Sequence, residues 1–131
     1  MNQFLKDIEA FHIKYGLAYN GQPRMLDEKT SSFRAGFIEE ELDEYILADT
    51  MEDKFDALID LVYVALGTAY LHGFDFEEGW KRVQAANMKK VRATQADQSK
   101  RGSTSDVVKP EGWEAPDLRD LVYGEDHDLH T

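Results

Sequence analysis

Apolar residues return at helical spacing through most of the chain. Phe4, Ile8, Phe11 and Tyr15 predict a first helix over residues 2–19, ended by the Asn20-Gly21-Gln22-Pro23 break. Phe33, Phe37, Ile38, Leu42, Tyr45 and Ile46 predict a second over 30–48. Thr50, with Asp53 three residues on, is the expected N-cap of a third, and His72-Gly73 its stop. Asp75 and Glu78 read as a capping box opening a fourth over 76–94, which carries Trp80, Val83, Asn87 and Val91. Beyond it, QADQSKRGSTSD is polar, and the two prolines of VVKPEGWEAPDL forbid a regular helix, so residues from about 95 to 131 are expected as a flexible loop and a short extended tail. The pattern describes an all-α, four-helix bundle in a single domain spanning 1–131. The third helix is apolar almost all the way round, which suits the centre of a bundle or an oligomer interface.

That helix also holds the first sign of chemistry. In ALIDLVYVALGTAYL the only charge is Asp60, with Asp56 one turn before it. An unpaired carboxylate in such a setting is costly. Just upstream, Glu39, Glu40, Glu41, Asp43 and Glu44 crowd into six positions. At about 100° per residue, Glu39 and Asp43 fall on a solvated face, as a charge run that maintains solubility would. Glu40, Glu41 and Glu44 fall among Phe33, Phe37 and Tyr45, on the face expected to pack inward. A tight turn near Asp49 and Thr50 makes the two helices antiparallel neighbours. Counting outward at ~1.5 Å per residue sets Glu44 level with Asp56 and Glu40 level with Asp60. Two carboxylates ~4 Å apart repel by about 4 kcal/mol at an effective dielectric near 20, and a divalent ion reverses the sign. The donors are all oxygen, which favours Mg²⁺, with Mn²⁺ as a substitute.

Composition narrows the partners. The formal charge of −11 opposes binding to nucleic acid or an anionic membrane. No cysteine is present, so disulfides and thiolate metal sites are excluded and a reducing compartment is permitted. The N-terminus lacks the basic start and apolar stretch of a signal peptide, and the oily run is short and flanked by acids, so a soluble cytoplasmic protein is expected. Bound metals in a half-buried groove most often serve phosphate chemistry. Asn87, Lys89, Lys90 and Arg34 are the candidates for holding such a substrate. Ordinary solvated lysines near a helix end, and an Arg34 paired with Glu41, are the competing readings. His12, Tyr63, Trp80 and Trp113 can stack on a base, with core packing favoured for Tyr63 and Trp80. His127 and His130 read as incidental.

Taken together, Glu40-Glu41-Leu42-Asp43-Glu44, DALIDLVYVALGTAYLHGFD, VQAANMKKV and the late KPEGW resemble the all-α nucleoside triphosphate pyrophosphohydrolases, in particular a MazG-like subgroup often found in phages and bacteria. The EExxE motif is intact. In the second motif, ExxD, Asp60 is present but Ala57 stands at the glutamate position, with Asp56 the expected substitute. The resemblance implies hydrolysis of a (deoxy)nucleoside triphosphate between the α and β phosphates. It implies Mg²⁺ held by Glu41, Glu44 and Asp60, with help from Asp56. Glu40 completes the shell or acts as general base beside Glu41, and Asn87, Lys90, Lys89 and Arg34 contact the substrate. It also implies a homodimer or homotetramer. An acidic DNA mimic and an inactive helical oligomerisation module are the alternatives.

Overall fold

The structure, a computed structural model, describes residues 2–124; His127 and His130 lie outside them. Four long helices dominate. Helix α1 (Gln3–Lys14) opens on Asn2, whose side chain accepts from the Leu5 amide at 3.0 Å. It stops five residues before the expected end, because Gly16 takes a left-handed φ of 72° and the Leu17 amide turns back to the His12 carbonyl. The connector then runs along the end of the third helix. There the Tyr19 amide donates to Tyr70 Oη at 2.8 Å and Arg24 Nε donates to the Leu71 carbonyl at 2.9 Å.

Helix α2 (Glu28–Leu47) is capped by Asp27, whose carboxylate accepts from the Thr30 amide at 2.7 Å. Residues 48–50 turn the chain into α3 (Met51–His72), capped by Thr50 and closed by a left-handed Gly73. A side chain at Gly73 would meet the Gln22 and Gly21 carbonyls at 3.0 and 3.1 Å, so the connector needs glycine there. Helix α4 (Phe76–Asn87) is capped by Asp75. It ends seven residues short of the expected boundary. The Lys89 and Lys90 amides bond back only three residues, and Val91–Arg92 (β1) pairs antiparallel with Val107–Val108 (β2). The first strand of this ribbon thus replaces the expected end of the fourth helix, and the stretch expected as loop and tail carries its second strand, a 3₁₀ turn (Ala96–Gln98) and a short α5 (Arg119–Tyr123). Helix α5 is fastened to α4 by Arg82, which makes a two-point bond to Asp120 at 2.6 and 3.0 Å.

Helix α3 packs against α1, α2 and α4. Its apolar girth is only partly used. Ala57, Val64, Leu66 and Gly67 are buried, whereas Phe55, Leu58, Ile59 and Val62 are 46–67% exposed. With Phe4 they line an open apolar groove of about 490 Å³. Trp80 and Tyr63, expected in the core, are 63% and 38% exposed. At 22 residues α3 exceeds the apolar run read from the sequence, and by length and composition alone it can cross a bilayer.

Candidate metal centre and its neighbouring pocket

Three carboxylates converge where α2 faces α3. Glu41, Glu44 and Asp60 each present an oxygen within 4.8 Å of the others. Glu41 and Glu44 are three apart and share a face of α2. Glu41 is buried, Asp60 half-buried and Glu44 exposed, so the cluster opens to solvent at one side.

The level-by-level registry expected from counting is shifted. Asp60 meets Glu41 and Glu44, whereas Glu40 and Asp56 are exposed and stand outside the three-residue cluster. The cause is the lean of helical side chains toward their own N-terminus. In this antiparallel pair the side chains of α2 lean away from the turn and those of α3 lean toward it. An α2 acid therefore meets an α3 acid that lies farther along its helix. Glu40 and Asp56 still act through charge: Glu40 adds to the repulsion on Glu41, and Asp56 to that on Asp60.

The electrostatics suit a cation at this point. Burial, then the neighbouring Glu44 carboxyl and the charges of Asp60 and Glu40, push Glu41 from its ordinary 4.5 up to about 7. Burial, Asp56 and Glu44 raise Asp60 as well. Glu41 Oε2 is buried with no hydrogen-bond partner among the described residues. A buried carboxylate oxygen without a donor, beside two further carboxylates, is a donor set completed by a hard divalent cation.

One to two turns farther along the same pair of helices lies a cavity of about 440 Å³. Phe33, Phe37, Phe11 and Tyr63 wall it, and Arg34 and His12 supply its polar edge. Arg34 is half-buried and has no carboxylate partner among the described residues. Its Nε donates to Thr68 Oγ1 at 3.0 Å and its Nη2 to the Val64 carbonyl at 2.9 Å, and burial lowers its pKa from the ordinary value. It does not pair with Glu41. His12 is buried, with Nδ1 2.8 Å from the Ile8 carbonyl; since that oxygen can only accept, Nδ1 carries the proton and Nε2 of the neutral ring is left as an acceptor. Both groups crowd Gly67, where a Cβ would lie 2.9 Å from Arg34 Nη2 and 3.3 Å from His12 Cε1. A glycine in the middle of a helix was the only sequence signal for this approach.

The remaining candidates lie at the end of α4. Asn87 and Lys89 are exposed, so the amide does not sit on a packed face as expected. Lys90 is half-buried, its ammonium 5.1 Å from the ring centre of Trp113. Trp113 itself is pinned to α4 by its indole N–H, which donates to the Ala86 carbonyl at 2.7 Å.

A comparison with curated proteins gave no match. The family model described as phosphoribosyl-ATP pyrophosphohydrolase matches residues 8–87, from within α1 to the end of α4, and so takes in the acidic cluster and the aromatic cavity beside it. Enzymes of that description hydrolyse a phosphoric anhydride, and the family lies within the all-α MazG-like superfamily. With more than half of its length matched, this chain belongs to the phosphoribosyl-ATP pyrophosphohydrolase family.

Proposed function

We propose that the protein hydrolyses a nucleoside triphosphate between its α and β phosphates, giving the monophosphate and pyrophosphate, with Mg²⁺ as the ion and Mn²⁺ as a substitute. The observation that carries the reading is the convergence of Glu41, Glu44 and Asp60 around a buried, unpartnered Glu41 Oε2. Those three residues would hold the ion. When bound, it neutralises phosphate oxygens and lowers the pKa of a coordinated water.

The chain's own groups supply the rest. Glu40, exposed beside the cluster, is the candidate to take a proton from the attacking water at a carboxylate oxygen. The aromatic cavity suits a base, with Arg34 donating to a base acceptor and His12 Nε2 accepting from a base N–H. Asn87, Lys89 and Lys90 are read as phosphate contacts. The exposed row Phe55, Leu58, Ile59 and Val62 supports a homodimer or higher homo-oligomer, since a contiguous apolar face of this kind marks an interface.

Phosphoribosyl-ATP, the substrate in the family's name, also carries a triphosphate, so it shares the scissile anhydride. A panel of canonical and modified nucleoside triphosphates together with phosphoribosyl-ATP, incubated with Mg²⁺, tests the reading. Pyrophosphate release from at least one of them is expected. Orthophosphate as the only product, or no turnover of any, overturns it.

A further inference from the structure

The ribbon that follows α4 sets two lysines opposite each other. With Val91 paired to Val108 and Arg92 to Val107, the antiparallel register places Lys90 across from Lys109. Like charges directly across a ribbon are destabilising. Both ammonium groups nevertheless rest on one indole, each 5.1 Å from the Trp113 ring centre. Neither has a carboxylate at ion-pair distance among the described residues.

The same ribbon closes a pocket of about 400 Å³ that adds Lys100 and Arg101 to the two lysines. Its only acid is Asp106, which is already engaged. Asp106 accepts from Ser99 Oγ at 2.6 Å, from the Val107 amide at 2.9 Å and from Arg101 at 3.3 Å, and its single charge also acts on Lys90, so one carboxylate faces four cationic side chains. Four cationic side chains therefore surround one concavity on a protein whose net charge is strongly negative. Such an arrangement is built for a multiply charged anion, and its size and spread suit linked phosphates better than one.

We infer that the pocket between Lys90, Lys100, Arg101 and Lys109 binds a condensed phosphate, a pyrophosphate unit. The unit has two sources: the phosphate chain of the nucleotide substrate, or free inorganic pyrophosphate. Assigning it to the substrate rests on the hydrolytic function proposed above; binding of the unit itself does not. The residues that line this pocket all lie beyond the 8–87 family match.

Calorimetric titration of the full chain with inorganic pyrophosphate at low ionic strength, in EDTA, tests the inference. Saturable binding is expected, weakened about tenfold or more by Lys109→Gln and by the double variant Lys100→Gln/Arg101→Gln. Lys81→Gln, an exposed lysine outside the pocket, should bind as the parent does. Glu41→Gln should keep pyrophosphate binding while losing turnover, which separates a failure of this pocket from a failure of the hydrolytic reading. No binding at millimolar pyrophosphate, or equal losses in Lys81→Gln and Lys109→Gln, overturns the inference. If KM for the triphosphate rises severalfold in Lys109→Gln, the substrate's own chain is the occupant; if KM is unmoved while pyrophosphate binding is lost, free pyrophosphate is.

Discussion

Glu41 and Asp60, on helices joined by a three-residue turn, hold carboxylate oxygens within 4.8 Å of each other although Asp60 lies farther from that turn. Their proximity is unfavourable in the metal-free protein and useful only when a cation lies between them. Glu41→Gln should therefore stabilise the metal-free protein, because the new amide can donate to Glu44 and Asp60. We expect Tm without metal to rise by roughly 2–5 °C. The same variant should lose the Tm increase caused by Mg²⁺ and lower pyrophosphate release by at least about a hundredfold. A lower metal-free Tm in Glu41→Gln would contradict this account of the pair.

The raised pKa of Glu41 has a sign in stability. A carboxyl held above its unfolded value favours the fold fully below the unfolded pKa and ceases to do so as pH rises through the folded one. For Glu41 the window runs from 4.5 to about 7, and Asp60 shifts in the same direction. Asp27, Asp106, Asp117 and Asp120 are shifted below the ordinary 3.8, so their contributions are lost only at lower pH and leave the window clear. Denaturant titrations in EDTA should show stability falling between pH 5 and 7.5, with saturating Mg²⁺ restoring it at the upper end. Glu41→Gln should flatten the profile. A metal-free stability that climbs across this interval would count against the buried, repelled carboxyl.

Two glycines within helices offer a matched comparison. A Cβ at Gly36 meets nothing within 4 Å, so Gly36→Ala should stabilise by about 0.5–1 kcal/mol through helix propensity. At Gly67 the same change drives Arg34 Nη2 from its place and loosens its bonds to Thr68 and Val64. Gly67→Ala should fall short of Gly36→Ala by at least about 1 kcal/mol and raise KM for the nucleotide severalfold. Equal stabilisation by both, with KM unchanged, would count against Arg34 as a substrate contact.

The tail has two fasteners of different kinds. Trp113→Phe keeps an aromatic face beneath Lys90 and Lys109 but removes the N–H that reaches Ala86, and should cost about 1 kcal/mol. Asp120→Asn breaks the two-point pairing with Arg82. Amide hydrogen exchange should then quicken in Arg119–Tyr123 and stay unchanged in α2 and α3. Quickening throughout the protein would show that α5 is part of the global folding unit.

Features written in local chemistry were legible in the chain. Thr50, Gly73 and Asp75 mark helix ends because a cap is a property of a few adjacent residues. The acids that form the cluster could be named because apolar surroundings make a carboxylate conspicuous. What depended on partners distant in sequence was not legible. Val91 keeps helical spacing with α4, yet its pairing with Val108 decides its conformation. Tyr15 continues the apolar pattern of α1 past the point where Gly16 turns the chain back. Counting residues set Glu40 opposite Asp60; the lean of the side chains sets Glu41 and Glu44 there instead. Trp80 was expected in the core, yet its exposure depends on what covers α4, and spacing along one helix does not encode that. The like-charged lysines became neighbours only once the ribbon register was known.

Titration of the metal-free protein with Mn²⁺, followed by electron paramagnetic resonance of the free ion, tests the central claim most directly. Saturable uptake by the parent is expected, weakened at least about tenfold by Glu41→Gln and by Asp60→Asn, with Mg²⁺ competing for the same site. Uptake that is absent, or that survives undiminished in both variants, would contradict a divalent ion held by Glu41, Glu44 and Asp60.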